Sequence, residues 1–336
     1  MNKTAVGILT PYSAPFRAYE AAALELNVSL VVMTPADIAW KAKQVRGLVF
    51  SGEAWRRRTV PLPGGIYNRY YGPKPAVVDR LENILGENKV FNHITRFNKW
   101  EVHNILQSTE LSPLLPATQP YSPAVFTSFL EKFGRVILKP TLGHLGLQIY
   151  LAEKDDNTYH LYCGSRYPKF SFASAAELEH KAASLLAGSF LIQQFIPFAA
   201  VERRIFDTRF LVQKDGTGTW RTAGALSRKA VSYSYITNVS KRVTAAAAVL
   251  EKAFPNRPLL KKLQAISLAA AQSLEAALGS LGEISVDLAL DQEARPWLIE
   301  INGKPTKSIF KEIEDEEAYK NAYLLPLAYA SYLAAV

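Results

Sequence analysis

The sequence predicts an N-terminal, Rossmann-like α/β unit followed by a larger α+β body, and three observations carry that reading. Short apolar runs alternate with helical stretches up to about residue 92. From Phe91 onward the order changes to helix, strands, helix, strands. The 336 residues, 49% hydrophobic and 21% charged, suit a globular chain long enough for two or three domains and a large buried core.

In the first unit, residues 5–9 read as a strand, 16–26 as a helix, and 28–33 and 47–50 as further strands of a parallel sheet. The apolar run 5–9, followed by Pro11 and Arg17, is too short for a signal-peptide core. Residues 51–75 are polar and bear Pro and Gly, so they are expected to interrupt the sheet. Their tyrosines, Tyr67, Tyr70 and Tyr71, either face a substrate or cover a sheet edge.

In the body, 135–140 reads as a strand ending in Lys139 and a proline, followed at once by Thr-Leu-Gly143-His144-Leu-Gly146. Glycine lets backbone amides approach phosphate oxygens closely, and Lys139 would stand at the mouth of that loop. The loop is not a Walker A sequence, because its Lys precedes the glycines. Residues 175–186 form an amphipathic helix, and 190–196 a strand whose run into Pro197 leaves backbone groups able to read an adenine edge. The strand 206–212 places Asp207 and Arg209 on one face, where they either serve a ligand or pair with each other. The strand 220–229 carries Arg221 and Arg228, and a polar stretch with Thr237 and Asn238 precedes a helix over 258–278. The tail 322–336 reads as a buried helix interrupted by Pro326, and no stretch reaches transmembrane length.

Two final strands, 284–290 and 297–302, alternate apolar residues with oxygen ligands. Side chains two apart share a strand face, so Ile284, Val286, Leu288 and Leu290 point into a core while Asp287 projects oppositely. Likewise Trp297, Ile299 and Ile301 oppose Glu300 and Asn302. Asp, Glu and Asn together suit Mg2+, which prefers oxygen and is completed by substrate phosphates; the plainer alternative is a hairpin with one solvated face.

A formal charge of +9 favours an anionic partner, although the basic runs 56–58, 203–204, 228–229 and 241–242 are short. The single cysteine, Cys163, excludes an intramolecular disulfide and a multi-cysteine zinc site, and the five histidines lack metal-ligand spacing. No aromatic-and-basic groove pattern points to nucleic acid.

Taken in order, Asn98-Lys99, Lys139 with its Gly-rich loop, Gln-Gln-Phe-Ile, Asp-x-Arg and Asp…Glu-x-Asn resemble the ATP-grasp superfamily. More narrowly, Ile-Leu-Lys-Pro, Phe-Asp-Thr-Arg-Phe-Leu-Val-Gln-Lys, Ile-Thr-Asn and Glu-Ile-Ser-Val-Asp…Trp-Leu-Ile-Glu-Ile-Asn-Gly-Lys-Pro are similar to the YheC/YheD endospore coat-associated family. The resemblance implies a pre-ATP-grasp domain over 1–92, a central lobe over 93–196 and a C-terminal lobe over 197–336. It implies that Lys99 and Lys139 contact ATP phosphates, with Lys139 also near the base, while the loop with Gly143, His144 and Gly146 closes over the triphosphate. Gln193, Gln194, Phe195 and Ile196 would frame adenine, and Asp207 would join the nucleotide site. Asp287, Glu300 and Asn302 would hold two Mg2+ ions, with Glu300 bridging them. Arg209 and Arg228 would steady charge on the transferred phosphate or acyl phosphate.

The implied activity is an ATP-dependent carboxylate–amine ligase acting on small-molecule or peptide substrates. A phosphotransferase and a non-catalytic, nucleotide-binding spore coat protein are the alternatives. A cytoplasmic, spore-associated protein with neither a nucleic-acid partner nor a membrane span is expected. One departure stands out: Ser240-Lys-Arg-Val243 replaces a glycine pair of the relatives, which suggests a different or more acidic acceptor.

Overall fold

The structure is a computed structural model and describes residues 3–143, 146–231, 234–237 and 240–336. Among them, three sheets follow one another along the chain. In the first, Thr4–Leu9, Val28–Met33, Gly65–Asn68 and Val90–Phe91 run parallel, as expected from the strand–helix rhythm. Gln44–Phe50 does not, pairing antiparallel with Val28–Met33. Only ten residues or so lie between them, too few for the helical crossover that parallel strands need.

The expected interruption over 51–75 instead holds two strands. Trp55–Pro61 folds back on Gln44–Phe50, and Gly65–Asn68 inserts beside Thr4–Leu9 with Tyr67 fully buried. Arg56, Arg57 and Arg58 lie exposed on the outer strand, where charge discourages edge-to-edge pairing.

The second sheet is antiparallel, with Arg135–Pro140 between Tyr150–Asp155 and Phe190–Gln194. Helices Pro123–Phe133 and Ala175–Leu185 share its core through Phe126, Leu130, Leu178 and Ala182, and each begins at a serine whose hydroxyl accepts a backbone N–H.

The third sheet orders Ser240–Ala245, Trp220–Ala230, Arg204–Lys214, Glu283–Leu290 and Pro296–Asn302, all antiparallel. One side shares a core with helices Leu259–Leu278 and Lys99–Gln107, through Phe210, Ile284, Val286, Leu288, Val102, Leu263 and Leu274. Leu211, Ala223 and Leu226 belong to a second core with helix Glu316–Ala335 and with Val6, Tyr67 and Phe91 of the first sheet. That helix packs directly on Gly65–Asn68: a Cβ on Gly65 would stand 1.9 Å from the Ala330 carbonyl oxygen, so only glycine fits.

Pro326 lies inside this helix rather than interrupting it. Proline has no N–H to bond the carbonyl four residues back. The carbonyl so released, Ala322, accepts the Gln213 side-chain amide at 3.0 Å.

Candidate active site

Strand register builds the site. Asp207 stands opposite Arg228, Arg209 opposite Asp287, and Asp287 opposite Glu300, so four neighbouring strands carry their charges in two adjacent rows. Directly opposed residues are closer than residues two apart on one strand. This corrects the alternative pairing of Arg209 with Asp207. Arg209 instead grips Asp287 with two parallel bonds, Nε to Oδ1 and Nη2 to Oδ2, each 2.7 Å. Arg228 donates to both carboxylates, from Nε to Asp207 Oδ1 at 2.9 Å and from Nη2 to Asp287 Oδ2 at 3.0 Å. Thr237 adds its hydroxyl to Asp207 Oδ2 at 2.6 Å.

Burial works to raise the Asp287 carboxyl pKa, but Arg209 and Arg228 outweigh it and hold it at about 2. Burial likewise works to lower the Arg228 guanidinium, and Asp207 and Asp287 raise it above its ordinary value.

A β-bulge alters the last strand. The register passes from Asp287↔Glu300 to Leu288↔Leu298, leaving Ile299 as the extra residue. Simple alternation placed Trp297 and Ile299 in the core with Ile301; instead Leu298 and Ile301 join it. Ile299 lines the site beside Glu300, and Trp297 donates its indole N–H to Asp291 at 2.9 Å.

Lys99 opens helix Lys99–Gln107, whose N-cap Asn98 side chain accepts the Trp100 N–H at 2.9 Å. Its backbone N–H bonds Thr141 O at 2.9 Å and its ammonium bonds Gly143 O at 3.1 Å, fastening the Gly-rich loop to the helix. The same ammonium meets Glu300 Oε1 at 3.2 Å. Gly143 lies against Pro140, whose Cγ would be 2.9 Å from an added Cβ. Gly146 takes a left-handed φ of 70°, which glycine adopts without strain. His144 and Asn238 lie outside the described residues, as do the side chains of Ser240, Lys241 and Arg242.

Lys139 is buried, and its ammonium donates to Gln193 Oε1 at 2.9 Å. Burial pushes its pKa down to about 8, with Glu300 opposing that shift and Lys99 adding to it. Gln193 in turn donates to Thr118 Oγ1 at 2.8 Å, so the strand Phe190–Gln194 holds the lysine in place.

Two connected cavities meet at these residues. The smaller, about 90 Å3, is walled by Ile137, Ile149, Phe195, Ile196, Tyr235 and Ile236, and reaches Lys139, Gln193, Gln194, Asp207 and Asp287. The larger, about 710 Å3, runs from Gly143, Arg209, Glu300 and Asn302 out to Phe16, Tyr19, Arg69, Arg96, Lys304, Lys307 and Tyr323. Lys99, Arg228 and Glu300 border both. Tyr71 also lines the larger cavity. Sequence pattern gives Arg69, Arg96 and Lys307 no role, because nothing local distinguishes them from other surface cations, and Lys304 enters only as part of the Glu-Ile-Asn-Gly-Lys-Pro phrase.

Among the described residues no cluster of three His, Cys, Asp or Glu side chains could hold a metal alone. Asp287 and Glu300 on facing strands, with Asn302 on the second, are hard oxygen donors. Two carboxylates and an amide suit Mg2+ completed by phosphates, and the cations that now engage the carboxylates would turn to those phosphates.

A family model described as YheC/D like ATP-grasp matches residues 87–333. Endospore coat-associated protein YheD of Bacillus subtilis (strain 168) is 27% identical over 88% of this chain and 69% of its own length. YheC of the same organism is 24% identical over 92% of this chain and 89% of its own. In fold, the chain is similar to the VanG D-Ala:D-Ser ligase from Enterococcus faecalis, with a TM-score of 0.54 at 10% identity, covering 98% of this chain and all of that one.

Proposed function

The chain belongs to the YheC/D-like ATP-grasp family, and from that premise we propose that it is an ATP-dependent carboxylate–amine ligase working through an acyl phosphate. The observation that carries the reading is the meeting of three cation–carboxylate pairs, Lys99–Glu300, Arg209–Asp287 and Arg228–Asp207, where an apolar pocket opens into a larger cavity.

In this reading the apolar pocket takes the adenine, with Phe195 and Ile196 against it and the linker backbone at its edge. Lys139, held by Gln193, meets the α- and β-phosphates, and Lys99 and the Gly143 backbone meet the triphosphate. Asp287, Glu300 and Asn302 would hold Mg2+, which when bound neutralises phosphate oxygens. Arg209 and Arg228, turned from their carboxylates, orient the substrate carboxylate and the γ-phosphate and stabilise charge that builds between them.

A carboxylate oxygen attacks the γ-phosphorus as its bond to the bridging oxygen of ADP breaks. The amine nitrogen then attacks the acyl carbon, loses a proton and expels inorganic phosphate, leaving an amide. A protein nucleophile is not required, which accords with a site made of cations and oxygen donors.

The test is ADP release from Mg-ATP across pooled carboxylates and amines, in the wild type and in Glu300→Gln. Release that needs both a carboxylate and an amine, and is lost in the variant, supports the ligase. A phosphorylated acceptor without an amide would replace it with a phosphotransferase; a Glu300→Gln protein of full activity would sink the assignment. The names of YheC and YheD support a spore-coat setting for the same activity.

A further inference from the structure

The two ends of the larger cavity are charged differently. At the end shared with the apolar pocket, Lys99, Arg209 and Arg228 each have a carboxylate beside them. Farther along its wall stand four cations, Arg69, Arg96, Lys304 and Lys307, and among the described residues their one ion-paired carboxylate is Glu283, held by Arg69 and Lys307.

Glu283 is itself fully occupied. It accepts from Tyr67, Arg69, Gln213 and Lys307. Lys307 also donates to the Tyr19 and Tyr67 hydroxyls at 3.0 and 3.1 Å. That leaves a surplus. Among the described residues the Lys304 and Arg96 side chains make no ion pair or hydrogen bond, and Arg69 Nε is buried with no acceptor. Arg69 and Lys304 line the same cavity, two cations facing one space.

Holding like charges together at a cavity wall without a counter-ion is unfavourable, and a ligand that brings the anion relieves it. ATP would not bring it, since its phosphates are taken at the other end. An amine would be repelled. We infer that the carboxylate substrate carries a second carboxylate, held by Arg69 and Lys304 with Arg96 at the rim, while its reacting carboxylate reaches Arg209 and Arg228. The chain between them would lie along Phe16, Tyr19 and Tyr323. The substrate class is therefore a dicarboxylate, either a free N-acylated acidic amino acid or an acidic peptide, and this rests on the ligase reading above.

The test compares N-acetylglutamate with N-acetylglutamine, nearly isosteric and one charge apart, binding to the full chain with Mg2+ and a non-hydrolysable ATP analogue. Calorimetry reads binding, and ADP release with ATP and an amine reads turnover. Two charge-assisted bonds predict at least about tenfold tighter binding of the dicarboxylate. The ratio should fall towards one in Lys304→Met and part of the way in Arg96→Gln. Both side chains reach solvent at the cavity wall, so neither change threatens the fold.

A ratio near one in the wild type, or one that neither substitution changes, would overturn the inference. Preference for the dicarboxylate without ADP release would keep the anion site and reject the ligase reading; ADP release with equal preference would do the reverse. A diglutamate peptide in the same assay separates the two sources, tighter binding than N-acetylglutamate assigning the peptide and weaker binding the free acid.

Discussion

Glu283 and Asp287 lie four residues apart on one face of the strand Glu283–Leu290, both buried and both held by two cations. Their partners come from different places. Glu283 draws Tyr67 from the first sheet and Arg69 from just beyond that strand, Gln213 from its neighbouring strand and Lys307 from beyond the last strand. Among the described residues Asp287 draws on its own sheet alone, through Arg209 on the adjoining strand and Arg228 on the strand beyond it, at the meeting of two cavities. A carboxylate bonded to separate parts of the chain ties them together; one bonded within its own sheet and facing a cavity can exchange its partners for a ligand.

Substitution should separate the two roles. Glu283→Ala leaves two cations and two hydrogen-bond donors buried without their acceptor, and should cost about 3–5 kcal/mol in chemical denaturation. If it unfolds no more readily than the wild type, the tie between units is not where we place it. Glu300→Gln, at the cavity, should change stability by no more than about 1 kcal/mol while lowering ADP release about a hundredfold or more.

Asp287→Asn should fall between, because Arg228 keeps Asp207 and Arg209 borders the cavity. The native Asp287 value near 2 lies below the ordinary 3.8, so its stabilisation is complete above about pH 3.8 and is lost as pH falls through 2. The stability gap between wild type and Asp287→Asn should close over that window; a gap that persists unchanged to pH 2 would place the stabilisation elsewhere.

Lys139 gives a pH test of the nucleotide end. Its folded value near 8 lies below the ordinary 10.5, so the unfolded chain binds the proton more tightly and stability rises between about pH 8 and 10.5. Nucleotide affinity should run the other way, weakening above pH 8 as the ammonium loses its charge. Calorimetry on Lys139→Met should find weaker binding and little of that dependence. The smallest effect is expected from Arg57→Ser: Arg57 makes an exposed pair with Asp37 at 3.1 Å, and its loss should cost no more than about 1 kcal/mol.

Much of this was legible in local pattern. Strand alternation identified the two strands that carry Asp287, Glu300 and Asn302, and the Lys-Pro end of Arg135–Pro140 marked Lys139. The bulge at Ile299 was not, since an unpaired residue depends on how the two strands hydrogen-bond. Nor was the exchange of partners between Asp207 and Asp287, because same-strand spacing says nothing of which strand lies alongside. The strands within 51–75 were hidden by their Pro, Gly and Arg content, which reads locally as a loop.

By itself, then, the amino-acid order determined the layered α/β and α+β class, most strand and helix positions, and the chemical types gathered near the phosphates, because these follow from periodicities of two and 3.6 residues and from the donor character of single side chains. Only the tertiary structure decided that Arg69, just beyond a strand of the first sheet, and Lys304, just beyond the last strand, share a cavity wall with surplus positive charge, and that Pro326 frees a carbonyl for Gln213. Those outcomes join residues more than one hundred positions apart, and electrostatic energy depends on distance in space, not on separation along the chain.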